Sequence, residues 1–297
     1  MTAIHPIQQA QTNTTPIGVG LRHEHYSAAL LSSSHSVDFV EIHAENFFAE
    51  GGAASRLLDQ ITERYKVSIH GTAMGLGSAK GIQPEYLKKF TRLVNRVDPL
   101  LVSDHACFTW GNISDTPVHA GDLLPLKFDQ ATLTVLANNI DRVQQALGRQ
   151  LLIENIVSYK QFPAGDYSEA EFLATVAEKT GCGLLVDLNN VLVNYHNFTN
   201  GNALQLARQW LRHIPANAVK EIHLAGSSPV APGMLIVDDH AQPVSNECWQ
   251  LFDDAMTRFP AAATLIEWDN DLPSWPRLVY EADKARCRQA MAAELMA

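Results

Sequence analysis

Short apolar runs alternate with longer amphipathic stretches along nearly the whole chain. Strand-like runs lie at 17–21, 37–42, 67–70, 100–104, 150–154, 183–187, 219–223 and 263–267. They are rich in Val, Ile and Leu, and the segment GCGLLVDL is apolar almost throughout, as a parallel strand covered on both faces is. Between them, 53–64, 84–97, 129–147, 168–180, 203–212 and 246–258 carry apolar residues at three- and four-residue spacing, which predicts helices. Pro84 sits in a first turn, Ser168 precedes Glu171 as a capping box does, and Gly148 and Gly181 follow the last periodic residues as helix caps. Eight β-then-α units predict a TIM (β/α)8 barrel forming a single domain over 17–297. Residues 1–16, rich in Gln and Thr, read as a disordered lead-in. A doubly wound sheet is the alternative, but no Gly-rich phosphate loop follows the first strand, and GTAMGLGS at 71–78 lacks the Gly-Lys-Ser ending of one. Two long connections, about 105–128 and about 225–245, fall on the face where strands end; loops this long in a compact domain are usually functional.

Composition narrows the partners. The 297 residues are 46% hydrophobic and 18% charged, enough for a core without disulfide staples. A net charge of −10, from 32 acidic and 22 basic side chains, argues against nucleic acid or an anionic membrane surface as a partner. No apolar run approaches the roughly 20 residues of a membrane span, and the N-terminal stretch is not a secretory signal. Cys107, Cys182, Cys248 and Cys287 are far apart and form no CxxC pair. That disfavours thiolate zinc, thioredoxin-like chemistry and a disulfide framework, and points to a reducing cytoplasm.

The chemistry lies at the strand ends. VSIH ends in His70, LLVSDH in Asp104 and His105, LLIEN in Glu154 and Asn155, LLVDLNN in Asp187 with Asn190 beyond, KEIHLAG in His223 and TLIEWD in Glu267. The loop after the seventh strand adds Asp238 and His240 in VDDH. In a parallel barrel these ends share one rim, so residues distant in sequence converge. A lone histidine at such a place, like His25 or His213, is more often a hydrogen-bonded structural residue, and Glu154 alone could be an ion-pair member. Repetition of the placement on separate strands weakens that reading. Imidazole with carboxylate suits iron, manganese or zinc, and the donors exceed what one ion needs, which makes two or three metals plausible. Trp110 could line a pocket or serve as a packing anchor.

Taken together, GVGLRHEHY (18–26), FVEIHAENFF (39–48), SIHGTAMGLGS (68–78), LLVSDHACFTW (100–110), LLIENIVSYKQF (151–162), TGCGLLVDLNNVLVN (180–194), EIHLAGSS (221–228), IVDDHAQPV (236–244) and LIEWDND (265–271) resemble the UPF0276 (DUF692) family of multinuclear non-haem iron-dependent oxidative enzymes. The resemblance runs from about Ile17 to about Glu281. It implies a TIM barrel with two or three irons, as Fe(2+) and Fe(3+), that uses O2 as co-substrate to modify cysteines of a ribosomally made precursor peptide. A small leader-recognition partner protein is implied as well. Carried over by motif, the metal ligands are His70, His105, Glu154, Asp187, Asn190, His223, Asp238, His240 and Glu267, with His105, Glu154 and Asp238 also assigned catalytic roles. His43, Glu45 and Asn46 in EIHAEN, together with Trp110, are the expected substrate-facing residues. The chain departs from the family pattern at Ser227, where a His is usual, at SDHACF, and at HNFTN, where His196 is shifted from the usual His. The rival reading is a non-redox divalent-metal barrel enzyme of the sugar isomerase or phosphodiester hydrolase type.

Overall fold

The computed structural model describes residues 15–32, 37–114, 116–163, 165–231 and 233–296; all but the last two residues of the expected lead-in lie outside them. The elements run β1 (Ile17–Gly20), α1 (Tyr26–Leu31), β2 (Phe39–His43), α2 (Gly52–Arg64), β3 (Lys66–His70), α3 (Pro84–Val97), β4 (Leu101–His105), β5 (Cys107–Ile113) and β6 (Thr116–Pro125). They continue as α4 (Gln130–Leu147), β7 (Leu152–Glu154), α5 (Glu169–Thr180), β8 (Gly183–Asp187), α6 (Leu188–Phe198), α7 (Ala203–His213), β9 (Val219–Leu224), α8 (Asn246–Arg258), β10 (Ala263–Ile266) and α9 (Trp275–Met296). Eight strands close a TIM barrel in the order β1-β10-β9-β8-β7-β4-β3-β2. Every neighbouring pair in it is parallel. Each expected strand is one of the eight.

Besides the short helix α1, three segments differ from the sequence expectation. The connection 105–128 holds the antiparallel hairpin β5–β6, outside the barrel. Most of β6 faces solvent, so it has no buried face to impose a period of two. Residues 188–198, outside every predicted helix, form α6, whose N-cap is Asp187: one carboxylate oxygen accepts from Asn190 N–H at 2.6 Å. At the end of the chain, α9 packs on β1 and β10 and buries Leu278, Ala282 and Ala285. The expected caps are present: Ser168 and Glu171 form a reciprocal capping box, and Gly148 and Gly181 adopt left-handed C-cap conformations.

Strand alternation divides the buried residues into two populations. Outward residues such as Val40, Ile69, Val102, Ile153, Val186 and Ile222 pack on Phe90, Leu133, Phe172, Trp210 and Phe252 of the helices, and this shell is the main apolar core. Inside the barrel, Phe39, Ala263 and Leu265 make a small separate cluster. Two residues further along the strands the lining turns polar, with Glu41, Ser68, Ser103 and Glu221 fully buried. Two residues further still come His43, His70, His105 and His223. The barrel is thus plugged with hydrocarbon at one end and lined with ionisable groups at the other.

The apolar plug depends on Gly18. A Cβ at that position would stand 2.6 Å from the Phe39 ring, inside the closed strands where the ring has no exit. Gly18→Ala is expected to lower stability by about 1–3 kcal/mol, as overpacking of a tight interior does. Denaturant unfolding measures this, and an unchanged midpoint would show that Phe39 relaxes freely.

Candidate metal centre

The strand ends converge because period two aims every second side chain at the barrel axis. β7 is only three residues long, and Asn155 extends it. Its side-chain amide donates to Asp187 C=O at 3.0 Å and accepts from Asp187 N–H at 2.9 Å, copying a strand ladder with a side chain. Asn190 Nδ2 donates to the backbone oxygen of Asn155 at 3.1 Å. Asp187 therefore has one oxygen engaged as a helix cap, while Oδ2 is buried without a hydrogen-bond partner.

Glu154 is the centre of the arrangement. Its Oε2 lies 3.4 Å from His70 Nε2 and 3.3 Å from His105 Nε2, and these two ring nitrogens are 3.2 Å apart. Its other oxygen, Oε1, lies 3.6 Å from His223 Nδ1. His223 Nδ1 is 3.0 Å from Glu267 Oε2, which also stands 3.3 Å from His240 Nδ1. His240 Nε2 is 2.5 Å from Asp238 Oδ1 and 3.9 Å from Asp187 Oδ2. Among the described residues, four groups of donors have their ligand atoms within 4.8 Å of one another, including Glu41–Glu221–His223 and His43–Glu267–Asp269; the two at the centre are His70–His105–Glu154 and Glu154–Asp187–His223–Glu267. Glu154 belongs to both.

Other side chains set the orientation. Ser103 Oγ lies 2.7 Å from His70 Nδ1 and so turns Nε2 toward Glu154. Arg22 Nε donates to Asp269 Oδ1 at 2.7 Å, and its Nη2 stands 3.5 Å from Glu267 Oε1. Asn189 Nδ2 donates to Asp238 Oδ1 at 3.2 Å and to Ser227 Oγ at 3.1 Å. His240 has φ +42°, a left-handed conformation that costs a non-glycine residue about 1 kcal/mol or more. Its carbonyl accepts from Asp269 N–H at 2.9 Å, which ties the 225–245 loop to the end of β10. Gly226 seals the other side of that loop, since a Cβ there would stand 2.1 Å from the carbonyl oxygen of Pro243.

Burial dominates the electrostatics. It pushes the Glu154 carboxyl well above the usual range, and Asp187 up to about 7. It pulls His70 well below the ordinary imidazole value and His105 down to about 4. Burial also opposes charge on His223, but Glu267, Glu41 and Glu154 outweigh it and raise that imidazole. Against its own burial, Glu267 is held well below the ordinary value by His240 and His223. The donor set fits a metal ion on independent grounds. Glu154 Oε2, Asp187 Oδ2 and Asn190 Oδ1 are buried lone-pair donors with no hydrogen-bond partner, and the mixture of imidazole and carboxylate suits a borderline transition metal.

Of the residues expected from sequence, His70, His105, Glu154, Asn190, Asp238, His240 and Glu267 line one cavity of about 200 Å³, with His43 on its wall. Asp187 and His223 are fully buried beside it. The long connections supply Asp122 and Leu123 from β6, and Asp238 to His240 from the 225–245 loop. Glu45, Asn46 and Trp110 are placed elsewhere. Glu45 Oε1 accepts from Thr72 N–H at 2.9 Å, from Ala73 N–H at 3.0 Å and from the Tyr86 hydroxyl, so it holds the turn after β3. Asn46 is exposed, and Trp110 Nε1 donates to Ala73 C=O at 3.1 Å. His196 pairs with Glu247 at 2.6 Å on the outer surface, and Cys107 is fully buried, its thiol pushed up by burial.

Sequence reading missed Glu41 and Glu221. Glu41 Oε2 lies 3.6 Å and Glu221 Oε1 3.9 Å from His223 Nε2, and neither oxygen of Glu221 has a hydrogen-bond partner. The signal was present twice, as Glu-Ile-His at 41–43 and 221–223. Two residues before an inward histidine, a side chain faces the same interior.

Burial raises Glu221 to about 8, so in the metal-free protein Asp187 and Glu221 keep protons that the unfolded chain has lost. Their stabilisation is complete below the unfolded carboxyl range and disappears as pH rises through 7 to 8. The raised imidazoles of His223 and His240 act in the same sense, while the depressed His70 and His105 oppose it only below about pH 6.5. Calorimetry in chelator is expected to show the melting temperature falling from about pH 6.5 upward, with Glu221→Gln flattening the slope. A constant melting temperature across this window would mean that both carboxyls ionise normally.

Comparison with known proteins bears on the family and the fold. Residues 16–290 match the sequence model of the family described as RiPP precursor modification enzyme MbnB/TglH/ChrH. A UPF0276 protein of Caulobacter vibrioides is 40% identical over 273 residues, covering 92% of this chain and 94% of its own. Another, from Rhizorhabdus wittichii, is 41% identical over 270 residues, covering 91% and 93%. Among solved structures, a xylose isomerase-like TIM barrel protein from Mycobacterium smegmatis in complex with magnesium superposes with a TM-score of 0.61 at 10% identity, covering 94% of this chain and 98% of that one. D-psicose 3-epimerase from Clostridium cellulolyticum H10 gives 0.57 at 9% identity, covering 94% and 99%. At such identities these two share the barrel fold alone. The matched family model and the UPF0276 relatives together place the chain in the UPF0276 (DUF692) family, that of the RiPP precursor modification enzymes MbnB/TglH/ChrH.

Proposed function

We propose that this protein is a multinuclear iron enzyme that uses O2 to modify cysteine residues oxidatively in a ribosomally synthesised precursor peptide. The observation that carries the reading is Glu154, whose two oxygens face two different donor groups as a metal-bridging carboxylate does. His70, His105 and Glu154 would hold one ion, and Glu154, Asp187, His223 and Glu267 a second. Asn190, Asp238 and His240, which line the same cavity, would be the further ligands of a third. Bound iron supplies the Lewis acidity that ionises a thiol and the electrons that reduce O2.

The chain's own groups do the rest. A cavity of about 200 Å³ is small for a free metabolite and suited to one side chain presented by a peptide. His43 lies on its wall, its imidazole kept neutral by burial and by the charge of Arg22. A neutral ring nitrogen there can accept a hydrogen bond from a cysteine thiol and so orient it. Arg22 balances the carboxylates of Glu267 and Asp269 and holds both in place. The tyrosine oxygen of Tyr159 accepts from Asp238 N–H at 2.8 Å and fixes the loop over the cavity. The reading places the enzyme in the cytoplasm beside a small partner protein that presents the peptide leader.

Co-expression with a short Cys-containing precursor peptide tests this. The peptide is expected to change mass at cysteine, and the purified protein to carry iron and consume O2. His105→Ala should lose at least one ion and Glu154→Ala more, because Glu154 serves both groups; both should abolish the mass change while keeping the far-ultraviolet spectrum. Full metal content in both variants, or a colourless protein that consumes no O2, would sink the assignment.

A further inference from the structure

A second and larger cavity, of about 500 Å³, opens beside the metal cavity, and Ile156 lines both. The segment after β7, the segment before α4, and helices α5, α6 and α7 enclose it. Leu126, Phe128, Leu173 and Phe198 make much of its wall apolar. Two charged residues line it among the described residues, Lys160 and Glu169. Lys160 is exposed, with Nζ 5.5 Å from the centre of the Phe162 ring. Glu169, the first residue of α5, is half-buried, and Trp210 Nε1 donates to its Oε2 at 3.0 Å. Among the described residues no cation offsets its burial, which pushes the carboxyl up to about 7.

A sheltered carboxylate in an apolar chamber matches an aliphatic stem that ends in a positive charge. The stem covers hydrocarbon, and the charge gives the carboxylate the partner that the fold withholds. We infer that this cavity is a specificity site for a basic residue of the peptide substrate, its methylenes against Leu126, Phe128 and Phe198 and its cationic end at Glu169. Because Ile156 belongs to both cavities, the basic residue stands close in the peptide to the cysteine that enters the metal cavity. The inference rests on the peptide-substrate reading above, and neither cysteine oxidation nor metal binding by itself requires a basic neighbour.

The test is a titration of the metal-loaded protein with N-acetyl-lysine methylamide and with N-acetyl-norleucine methylamide, which has the same stem and no charge. The readout is the indole N–H resonance of Trp210, identified by its loss in Trp210→Phe. The lysine probe is expected to move that resonance and to bind at least about tenfold more tightly than the norleucine probe, the factor that one charge-assisted hydrogen bond supplies. Glu169→Gln should erase the difference while leaving the melting temperature near that of the parent. Equal affinity of the two probes for the unaltered protein would overturn the proposal without recourse to any variant, as would a lysine effect that persists in Glu169→Gln. Lysine-probe binding by a protein that leaves the co-expressed peptide unmodified would keep this site and remove the oxidation reading. A modified peptide with no probe preference would do the reverse.

Discussion

Desolvation of charge at the upper end of the barrel is the constraint on which the rest of the structure depends. Four imidazoles, His70, His105, His223 and His240, are buried there with Glu154, Asp187 and Glu267. Groups of this kind leave water at a cost of several kcal/mol each unless they are paired, neutralised or bound to a metal. The protein uses pairing at one side, where His223 and His240 share Glu267. At the other side it leaves the costs standing: Glu154 is pushed toward its neutral form while the facing imidazoles resist protonation. A cation is the one ligand that lowers all of these costs together, because it attracts the carboxylate and accepts the neutral imidazole lone pairs.

That demand accounts for much of the surrounding architecture. The apolar shell between barrel and helices supplies the rigidity, and the small cluster of Phe39, Ala263 and Leu265 closes the opposite end. Asn155 and Asn190 spend their amide groups on backbone, which leaves oxygens of Asp187 and Asn190 unpaired. The left-handed backbone of His240 is held by bonds from Asp269 and by the close passage of Gly226 beneath Pro243. Strain of this kind persists only where neighbouring contacts over-determine it. Glu41 and Glu221 extend the carboxyl lining below His223.

Access is divided between two chambers of different character. The metal cavity is narrow and polar, bordered by β6 and the 225–245 loop. Its neighbour is wider and mostly apolar, with Glu169 sheltered in its wall. Loops carried on a rigid scaffold can change what enters without disturbing the ring of ligands, which is why barrels of one shape host unrelated chemistries. The solved structures of like fold, at 9% or 10% identity, share the strand topology with this chain, and that likeness speaks for the fold alone.

The eight barrel strands and their order of appearance were legible in the chain because buried parallel strands must be apolar between their ends. For the same reason His70, His105, Glu154, Asp187, His223 and Glu267 stood out, each a charged or ionisable residue where an apolar run stops. The hairpin β5–β6 left no such trace, since an exposed ribbon needs no buried face, and α6 was hidden because its N-cap, Asp187, reads equally as a ligand. Three-dimensional closure alone could decide that Glu45 turns to the backbone of Thr72 while His43, two residues earlier, lines the cavity. It alone could join Glu154 to two donor groups, because distances between side chains on different strands depend on barrel stagger and not on any spacing along the chain.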